Sequence, residues 1–225
     1  MTPSELSAWR KSERARLLQQ RQALAEDTLA EFRARIDGHL ERVFPDLARG
    51  IVAFCWPYKN EYDARYLAAA LRRRGATTAL PVVVAPKTPL IFREWHPGVK
   101  TAVGPLGIPC PEGSPEVRPD HVLLPMLGWD ADGYRLGYGG GFFDRTLAAL
   151  EKRPRVIGTS YELEYLQTIH PQPHDIPMDF VVTERGVYRR EPQGLRFLDN
   201  PQAFSSPPCY AGEIAPGYFG EKPEL

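Results

Sequence analysis

Residues 135–145 (RLGYGGGFFDR) form a glycine-rich segment between an apolar run at 121–127 and a helix-favouring segment at 144–152. A glycine-rich connection between a strand and a helix presents several backbone N–H groups at the positive end of the helix dipole. Such a connection suits the binding of phosphate, and Arg135 and Arg145 add positive charge on either side. The segment therefore predicts an active site that binds a phosphorylated ligand.

Known phosphate-binding patterns fit this segment poorly. No Gly-Lys-Ser/Thr ends it, so it is not a Walker A loop, and Phe142 occupies the place of the third glycine of a dinucleotide-binding fingerprint. A tight glycine turn without a ligand remains an alternative, although five glycines within residues 133–141 exceed what a turn requires.

The order of the elements predicts an α/β fold with a mostly parallel sheet. Residues 50–56 and 80–84 are rich in strand formers, and residues 62–74 between them have helical spacing. Strand, helix and strand in this order favour a right-handed parallel crossover. Residues 154–161 and 178–183 are expected to be the last core strands, with a turn at 184–186.

A long N-terminal helix is expected from Thr2 to about residue 44, because Thr2 and Glu5 fit a capping box. Arg10 and Arg14 share one face of this helix, and Arg21 lies on nearly the same stripe. The stripe is either a solvated face or an anion-binding site. Further along, residues 90–95 are expected to form a strand or hairpin arm, and residues 96–119 a long ordered loop.

The composition narrows the class of protein. Lys+Arg and Asp+Glu number 28 each, so neither a general nucleic-acid surface nor an anionic-membrane surface is indicated. The three cysteines lack zinc spacing, and Cys55 is expected in the core. With no signal pattern and no membrane-length apolar run, a cytoplasmic protein is expected. Residues 1–198 are expected to form one domain, and the proline-rich residues 199–225 an extended or partly disordered tail.

Several acidic residues are candidate ligands. Asp130 begins a calcium-loop-like pattern that lacks the closing Glu, so a turn is favoured. Prolines keep residues 170–175 from forming a helix, which favours a rigid loop that offers Asp175 to magnesium. Glu61 follows the first strand, where ligands bind in open parallel sheets, although it could instead be a helix-start acid. The aromatic residues near Glu61 could form a stacking wall. They are Trp56, Tyr58 and Tyr62.

At residues 124–130 and 133–145 the chain resembles the 5-formyltetrahydrofolate cyclo-ligase family almost position for position. His174-Asp175 and residues 178–184 extend the resemblance. It implies a three-layer α/β/α sandwich around the sheet. It also implies the ATP- and magnesium-dependent cyclisation of 5-formyltetrahydrofolate to 5,10-methenyltetrahydrofolate, with release of ADP and phosphate, by a monomer or weak dimer.

The resemblance also implies roles for individual residues. Catalytic roles fall to Asp144, Arg145 and Tyr138. ATP would contact Arg10, Arg14, Arg135, Gly137, Tyr138, Gly139, Gly140, Gly141, Phe142 and Phe143. The folate would contact Trp56, Glu61, Tyr138 and Phe142. Magnesium would be held by Asp144 and Asp175, directly or through water.

Two positions depart from the family pattern. Arg10 stands where the family typically has lysine, and Glu164 stands where many members have glutamine, which would add negative charge near the pocket. These departures keep open a same-fold paralogue that binds ATP and a heterocycle but catalyses a different reaction or is regulatory. A further alternative is an interaction protein whose residues 209–213 dock on a partner.

Overall fold

An eight-stranded sheet forms the centre of the computed structural model, which describes residues 1–104 and 107–198. The first half of the chain contains α1 (Pro3–Gln22), α2 (Glu26–Val43), β1 (Ile51–Phe54), α3 (Arg65–Arg73), β2 (Thr77–Val82), β3 (Ile91–Glu94), β4 (Thr101–Val103) and β5 (Pro109–Pro111). The second half contains β6 (His121–Pro125), β7 (Gly128–Asp130), β8 (Arg135–Leu136), α4 (Phe142–Ala149), β9 (Arg155–Thr159), β10 (Tyr165–Leu166), β11 (Phe180–Thr183), β12 (Gly186–Glu191) and β13 (Gly194–Phe197).

The strands of the large sheet follow the order β13-β12-β11-β9-β6-β1-β2-β3. The five strands from β11 to β2 are parallel, whereas β3, β12 and β13 are antiparallel to their neighbours. The chain continues from β1 to β2 on one side and later returns to β6 on the other. This switch places a crevice at the carboxyl ends of β1 and β6, where open α/β sheets bind ligands.

Both faces of the large sheet are buried. Val52 and Phe54 of β1 pack into a core cluster that includes Ile36 of α2 and Leu67 of α3, whereas Ala53 packs into a second cluster with Leu147 of α4. Neighbouring strands alternate in the same way, as strand geometry requires. The predicted three-layer α/β/α arrangement is therefore confirmed.

The N-terminal helical segment is divided into two helices. The capping box is confirmed, because Thr2 Oγ1 accepts the Glu5 N–H and Glu5 Oε2 accepts the Thr2 N–H. The helix does not continue to residue 44, because α1 ends at Gln22 and α2 begins at Glu26. Leu17 of α1 packs against the smaller β10-β7-β8 sheet in a separate apolar cluster, which places α1 beside the carboxyl edge of the main sheet.

Two further sequence predictions need correction. Residues 96–119 are not only a loop, because β4 and β5 pair antiparallel within them. The strand at residues 178–183 is not the last, because β12 and β13 extend the sheet beyond it.

The hairpin-arm prediction for residues 90–95 is confirmed, since β3 pairs antiparallel with β2. The tail prediction for residues 199–225 lies outside the described residues.

Candidate active site

A cavity of about 730 Å³ opens at the carboxyl edge of the parallel strands. This volume is within the range of small-molecule sites. Its lining includes almost every residue that the sequence predicts for the site: Arg10, Arg14, Trp56, Glu61, Arg135, Gly137, Tyr138, Gly139, Gly140, Gly141, Phe142, Phe143, Asp144 and Asp175. Residues as far apart in sequence as Arg10 and Asp175 therefore converge on one space.

The glycine loop, residues 137–141, connects β8 to α4 along the cavity. Gly139 and Gly141 have φ angles of +92° and +63°, in the left-handed region where glycine is strongly favoured. Gly141 is the N-cap of α4 and provides no side chain to cap it, and no other side-chain cap is seen among the described residues. The start of α4 therefore offers backbone N–H groups near the cavity, as the strand-loop-helix pattern predicts.

Arg14 bonds α1 to the glycine loop. Its Nε donates to the carbonyl oxygen of Gly137 over 2.7 Å. A Cβ built on Gly139 would lie 3.3 Å from the Arg14 guanidinium carbon, so a side chain there would crowd the arginine. Burial, together with repulsion from Arg10, lowers the pKa of Arg14. Because Arg14 lines the cavity, a negatively charged ligand would relieve this repulsion.

Arg10 and Asp175 form an ion pair at the cavity wall. Arg10 Nη2 donates to Asp175 Oδ2 over 2.7 Å and to the carbonyl oxygen of His170 over 3.0 Å. Burial alone would raise the pKa of Asp175, but hydrogen bonds from Arg10 and from the Gln172 N–H hold it below its ordinary value. The carboxylate of Asp175 is therefore negatively charged at neutral pH.

Asp144 forms a second arginine–carboxylate pair beside the glycine loop. Arg135 Nη2 and the Ile176 N–H donate to Asp144 Oδ1 over 2.6 and 3.0 Å. Both predicted magnesium ligands, Asp144 and Asp175, are thus bonded to arginine. Within residues 1–104 and 107–198 no group of three or more His, Cys, Asp or Glu residues could hold a metal ion by itself.

Arg145 lies outside the cavity lining, unlike the other predicted site residues. Its Nη2 donates to the carbonyl oxygen of Gly140 over 2.6 Å, and its guanidinium lies over the Phe142 ring at 5.3 Å. Its buried Nε has no hydrogen-bond partner in the part of the chain that the structure describes. Arg145 therefore supports the back of the glycine loop, and a catalytic role for it stays a prediction.

Glu61 and Tyr138 form a hydrogen-bonded pair in the cavity wall. The Tyr138 hydroxyl donates to Glu61 Oε1 over 2.8 Å, and the Tyr58 N–H donates to Glu61 Oε2 over 3.0 Å. The helix-start alternative for Glu61 is wrong, because α3 begins four residues later, after an Ala64 N-cap. Burial raises the pKa of Glu61 to about 7, although Arg21 and Tyr138 oppose the shift.

Arg21 does not join Arg10 and Arg14 in the cavity. Its side chain is only 1% exposed and lies behind the wall, where Nη2 donates to the Tyr138 hydroxyl over 2.6 Å and Nη1 to Glu164 Oε1 over 3.1 Å. Glu164 is fully buried as well, so its carboxyl lies behind the pocket and not within it. The shared helix face therefore predicted the position of Arg10 and Arg14 in the cavity, but it did not predict the buried position of Arg21.

The predicted aromatic wall is only partly correct. Trp56 and Tyr58 line the cavity, and the Tyr58 ring makes an edge contact with the Tyr138 ring at 5.7 Å. Tyr62 is buried in the core instead, where its hydroxyl donates to Asp37 of α2. Cys55, which we expected in the core, is half-buried and contributes to the cavity lining.

Sequence reasoning missed several lining residues. Lys59 adds a cationic group, and apolar residues come from the end of β2 and the residue after it, from the segment before β3, and from the β4–β5 hairpin. The apolar group comprises Leu80, Pro81, Val83, Leu90, Ile108 and Pro109. A signal existed for Leu80 and Pro81, because they end a parallel strand beside β1. The hairpin residues Ile108 and Pro109 fall within residues 96–119, which we expected to form a long ordered loop.

Asp130 forms a turn. Its Oδ1 accepts the N–H groups of Asp132 and Tyr134 over 3.1 and 2.9 Å, and its Oδ2 accepts the Ile169 N–H over 3.0 Å. The turn interpretation is therefore confirmed. Through Ile169 it also fixes the segment that precedes the loop bearing Asp175.

Comparison with known proteins identifies the family of the chain. The model of the 5-formyltetrahydrofolate cyclo-ligase family matches residues 6–184. The chain is 28% identical over 177 residues to the 5-formyltetrahydrofolate cyclo-ligase of Escherichia coli, covering 76% of this chain and 97% of that protein. It is 34% identical over 140 residues to the enzyme of the same name from Mycolicibacterium smegmatis, covering 58% and 72%.

Solved structures show the same fold. The NMR structure of Aquifex aeolicus 5,10-methenyltetrahydrofolate synthetase matches with a TM-score of 0.71 and 27% identity, covering 85% of this chain and 96% of that one. A 5,10-methenyltetrahydrofolate synthetase from Mycoplasma pneumoniae shares the fold at a TM-score of 0.65 and 22% identity. The chain therefore belongs to the 5-formyltetrahydrofolate cyclo-ligase family, which confirms the resemblance found in its sequence.

Proposed function

We propose that this chain catalyses the ATP- and Mg²⁺-dependent cyclisation of 5-formyltetrahydrofolate to 5,10-methenyltetrahydrofolate, releasing ADP and phosphate. The observation that carries the proposal is the composition of the cavity. A glycine loop and three arginines, Arg10, Arg14 and Arg135, share it with aromatic residues and the Glu61 carboxyl. One space thus offers groups for a polyphosphate and for a planar heterocycle.

The reaction needs activation because a formyl amide is a poor electrophile. The formyl oxygen attacks the γ-phosphorus of ATP, and ADP leaves. The neighbouring folate nitrogen then attacks the formyl carbon, and that oxygen departs with phosphate. Such phosphoryl transfer depends mainly on positioning and on neutralising charge. In this chain the N–H groups at the start of α4 and the guanidinium of Arg14 would supply both.

The residues of the cavity fit a magnesium ion that arrives with ATP. Mg²⁺ is commonly held by one or two carboxylates together with substrate phosphates and waters. Asp144 and Asp175 are the two carboxylates that would hold it, directly or through water. Because Arg135 and Arg10 already bond them, phosphate oxygens would have to share these arginines when the metal binds.

The pterin ring of the folate fits the aromatic and carboxyl part of the lining. Trp56 and Tyr58 offer ring faces or edges, and Tyr138 and Phe142 border the glycine loop. The Glu61 carboxyl can accept hydrogen bonds from ring N–H groups. Since aromatic contacts and a buried acceptor together favour a flat, hydrogen-bonding heterocycle, they support a folate at this position.

The test is direct. Purified protein is incubated with 5-formyltetrahydrofolate and MgATP, and the absorbance of the methenyl product is followed together with ADP. The proposal expects one ADP per methenyl product and no reaction without Mg²⁺. Binding of both ligands without turnover would overturn it and would favour a same-fold paralogue with another reaction.

We extend the proposal to the location, the oligomeric state and the domain organisation of the protein. No helix in the described ranges combines the length and the apolar character needed to span a bilayer. We propose a cytoplasmic monomer or weak dimer in which residues 1–198 form a single domain. Sedimentation across a concentration series, with the full chain and with residues 1–198, measures the association and tests whether the shorter chain folds.

A further inference from the structure

A buried ionic network lies directly behind the cavity wall and reaches Glu61 and Tyr138 in its lining. At its centre is Arg21, whose side chain is 1% exposed. Its Nε donates to the carbonyl oxygen of Lys59 over 2.9 Å, and Nη1 to that of Met126 over 2.9 Å. Its other bonds reach the Tyr138 hydroxyl and Glu164 Oε1. Arg21 thereby joins the loops after β1 and β6 to the glycine loop.

The network contains one cation and two carboxyl groups. Glu61 and Glu164 both approach Arg21, at 3.8 and 3.1 Å. If both were ionised, one negative charge would remain uncompensated in a region where burial makes charge costly. One of the two carboxyls must therefore hold a proton more readily than an exposed glutamate does.

The hydrogen bonds show which carboxyl is the better anion. Glu164 accepts from three donors, namely Arg21 Nη1, the Ser160 hydroxyl and the Tyr161 N–H. Glu61 accepts from the neutral Tyr138 hydroxyl and the Tyr58 N–H, and its distance of 3.8 Å to Arg21 is too long for a hydrogen bond. Burial raises the pKa of both carboxyls, but Glu164 has the stronger hold on the guanidinium, so its anion is better stabilised than that of Glu61.

Other titratable groups face this pair from the surrounding elements. They are the Cys55 thiol after β1, Tyr138 of the glycine loop, and Tyr161 before the short 3₁₀ helix Glu162–Glu164. Burial raises the pKa of each of these three groups, so they remain neutral near pH 7. The charge state of the network is therefore decided by Arg21, Glu61 and Glu164.

We propose that Glu164 is a positioning residue that sets the ionisation of Glu61 in the cavity wall by holding the guanidinium of Arg21. When Glu164 is ionised, it neutralises the positive charge of Arg21, which would otherwise stabilise the Glu61 carboxylate. Glu61 then contacts the ligand either as a protonated carboxyl or as a carboxylate that is readily protonated. Any effect of Glu164 on catalysis rests on the proposed function, whereas its effect on the ionisation of Glu61 does not.

The experiment measures the ionisation of Glu61 without any ligand. Protein labelled with ¹³C at the glutamate side-chain carboxyls is titrated by NMR, and Glu61→Gln assigns the Glu61 resonance. Glu164→Gln keeps the shape of the side chain but removes its negative charge. Of the two carboxyl groups near Arg21, only that of Glu61 then remains to pair with the guanidinium. We expect the substitution to lower the Glu61 midpoint by about one pH unit or more, the size usual for gaining a nearby opposite charge.

Glu162→Gln is the matched control. Glu162 lies in the same short 3₁₀ helix as Glu164 but accepts from Thr183 and Tyr188 on the other side, so the same loss of charge should leave the Glu61 midpoint unchanged. An unchanged midpoint in Glu164→Gln, or an equal shift in Glu162→Gln, overturns the proposal.

Should Glu164→Gln not fold, Ser160→Ala tests the same point. By removing a donor to Glu164 it must lower the Glu61 midpoint, and no change refutes the idea.

Kinetics separate this inference from the proposed function. In Glu164→Gln the pH dependence of KM for 5-formyltetrahydrofolate should move by the same amount as the NMR midpoint, while kcat at the optimum stays within about twofold. A moved midpoint with wild-type protein that never turns over would refute the proposed function alone. An active wild type with an unmoved midpoint in Glu164→Gln would refute the inference alone.

Discussion

Arg14 of α1 donates its Nε–H to the carbonyl oxygen of Gly137 over 2.7 Å, so the first helix is bonded to the glycine loop. Replacing Arg14 by lysine keeps the charge but removes this donor and the planar fork. We expect Arg14→Lys to raise KM for ATP roughly tenfold or more and to change KM for 5-formyltetrahydrofolate little. Steady-state kinetics with each substrate varied in turn measure the difference.

Arg16→Lys is the control for that variant. Arg16 lies on the same helix but pairs with Glu13 and Gln20 on the exposed face. Its replacement should leave both KM values unchanged. Equal effects in the two variants would show that general charge on α1, and not the Gly137 contact, matters for ATP.

A second prediction concerns the stability of the glycine loop. Gly139 has a φ of +92°, and an added Cβ would lie 3.3 Å from the Arg14 guanidinium, whereas a Cβ on Gly137 meets no described atom within 4 Å. Gly139→Ala should therefore cost about 1–2 kcal/mol of unfolding free energy, and Gly137→Ala much less. Calorimetry without ligand compares the two, and equal melting temperatures would contradict the strain at Gly139.

A third prediction concerns Asp144. Asp144→Asn keeps the shape of the side chain and an oxygen acceptor for Ile176 but removes the negative charge that faces Arg135. We expect kcat to fall by about 100-fold and the Mg²⁺ concentration for half-maximal rate to rise. Rates measured across a magnesium series test both effects. Glu151→Gln, an acid that is 86% exposed just past α4, should match the wild type. Unaltered magnesium dependence in Asp144→Asn would refute the metal role.

The fourth prediction concerns pH and Asp37, which is buried in α2 and accepts from Tyr62 and Arg33. Burial raises its pKa from 3.8 to about 7. Between about pH 4 and 7 the folded chain thus binds a proton at Asp37 that the unfolded chain releases, so this group makes stability fall as pH rises. Its contribution is at most about 1.4 kcal/mol for each pKa unit.

Urea unfolding at several pH values from 4.5 to 7.5 measures this term. Asp37→Asn cannot titrate, so its unfolding free energy should decline less steeply over that window than that of the wild type. Glu61 and Glu164 contribute with the same sign in both proteins, because burial raises their pKa values as well. Identical slopes in the two proteins would contradict a raised pKa at Asp37.

Local patterns in the sequence were sufficient for the five parallel strands of the main sheet and for the glycine loop. The five parallel strands are short apolar runs, and the two left-handed glycines sit where a strand meets a helix. In contrast, nothing local marks the division between α1 and α2. Residues 23–25 are Ala-Leu-Ala, all compatible with a helix, so the division reflects the packing of two helices against different surfaces.

Charged side chains made two other features hard to predict from the sequence, namely the strand β12 and the buried contact between Arg21 and Glu164. The strand β12 carries Arg189, Arg190 and Glu191 near the edge of the sheet, where exposed charge is usual but weakens an apolar pattern. Arg21 and Glu164 are separated by 143 residues, and their contact follows from tertiary folding. A sequence pattern can identify a charged residue, but it does not show whether the charge faces solvent, a ligand or a buried partner.

The position of α1 has a consequence for synthesis of the chain. This helix is made well before its partners, which lie far along the sequence at Gly137, at Glu164 and finally at Asp175. On the ribosome, the arginines of α1 can bond all of these partners only after the chain through residue 175, with five of the eight strands of the large sheet, has emerged. The lining of the cavity is therefore complete only once residue 175 has been made, so ligand binding follows the synthesis of the five strands that precede it.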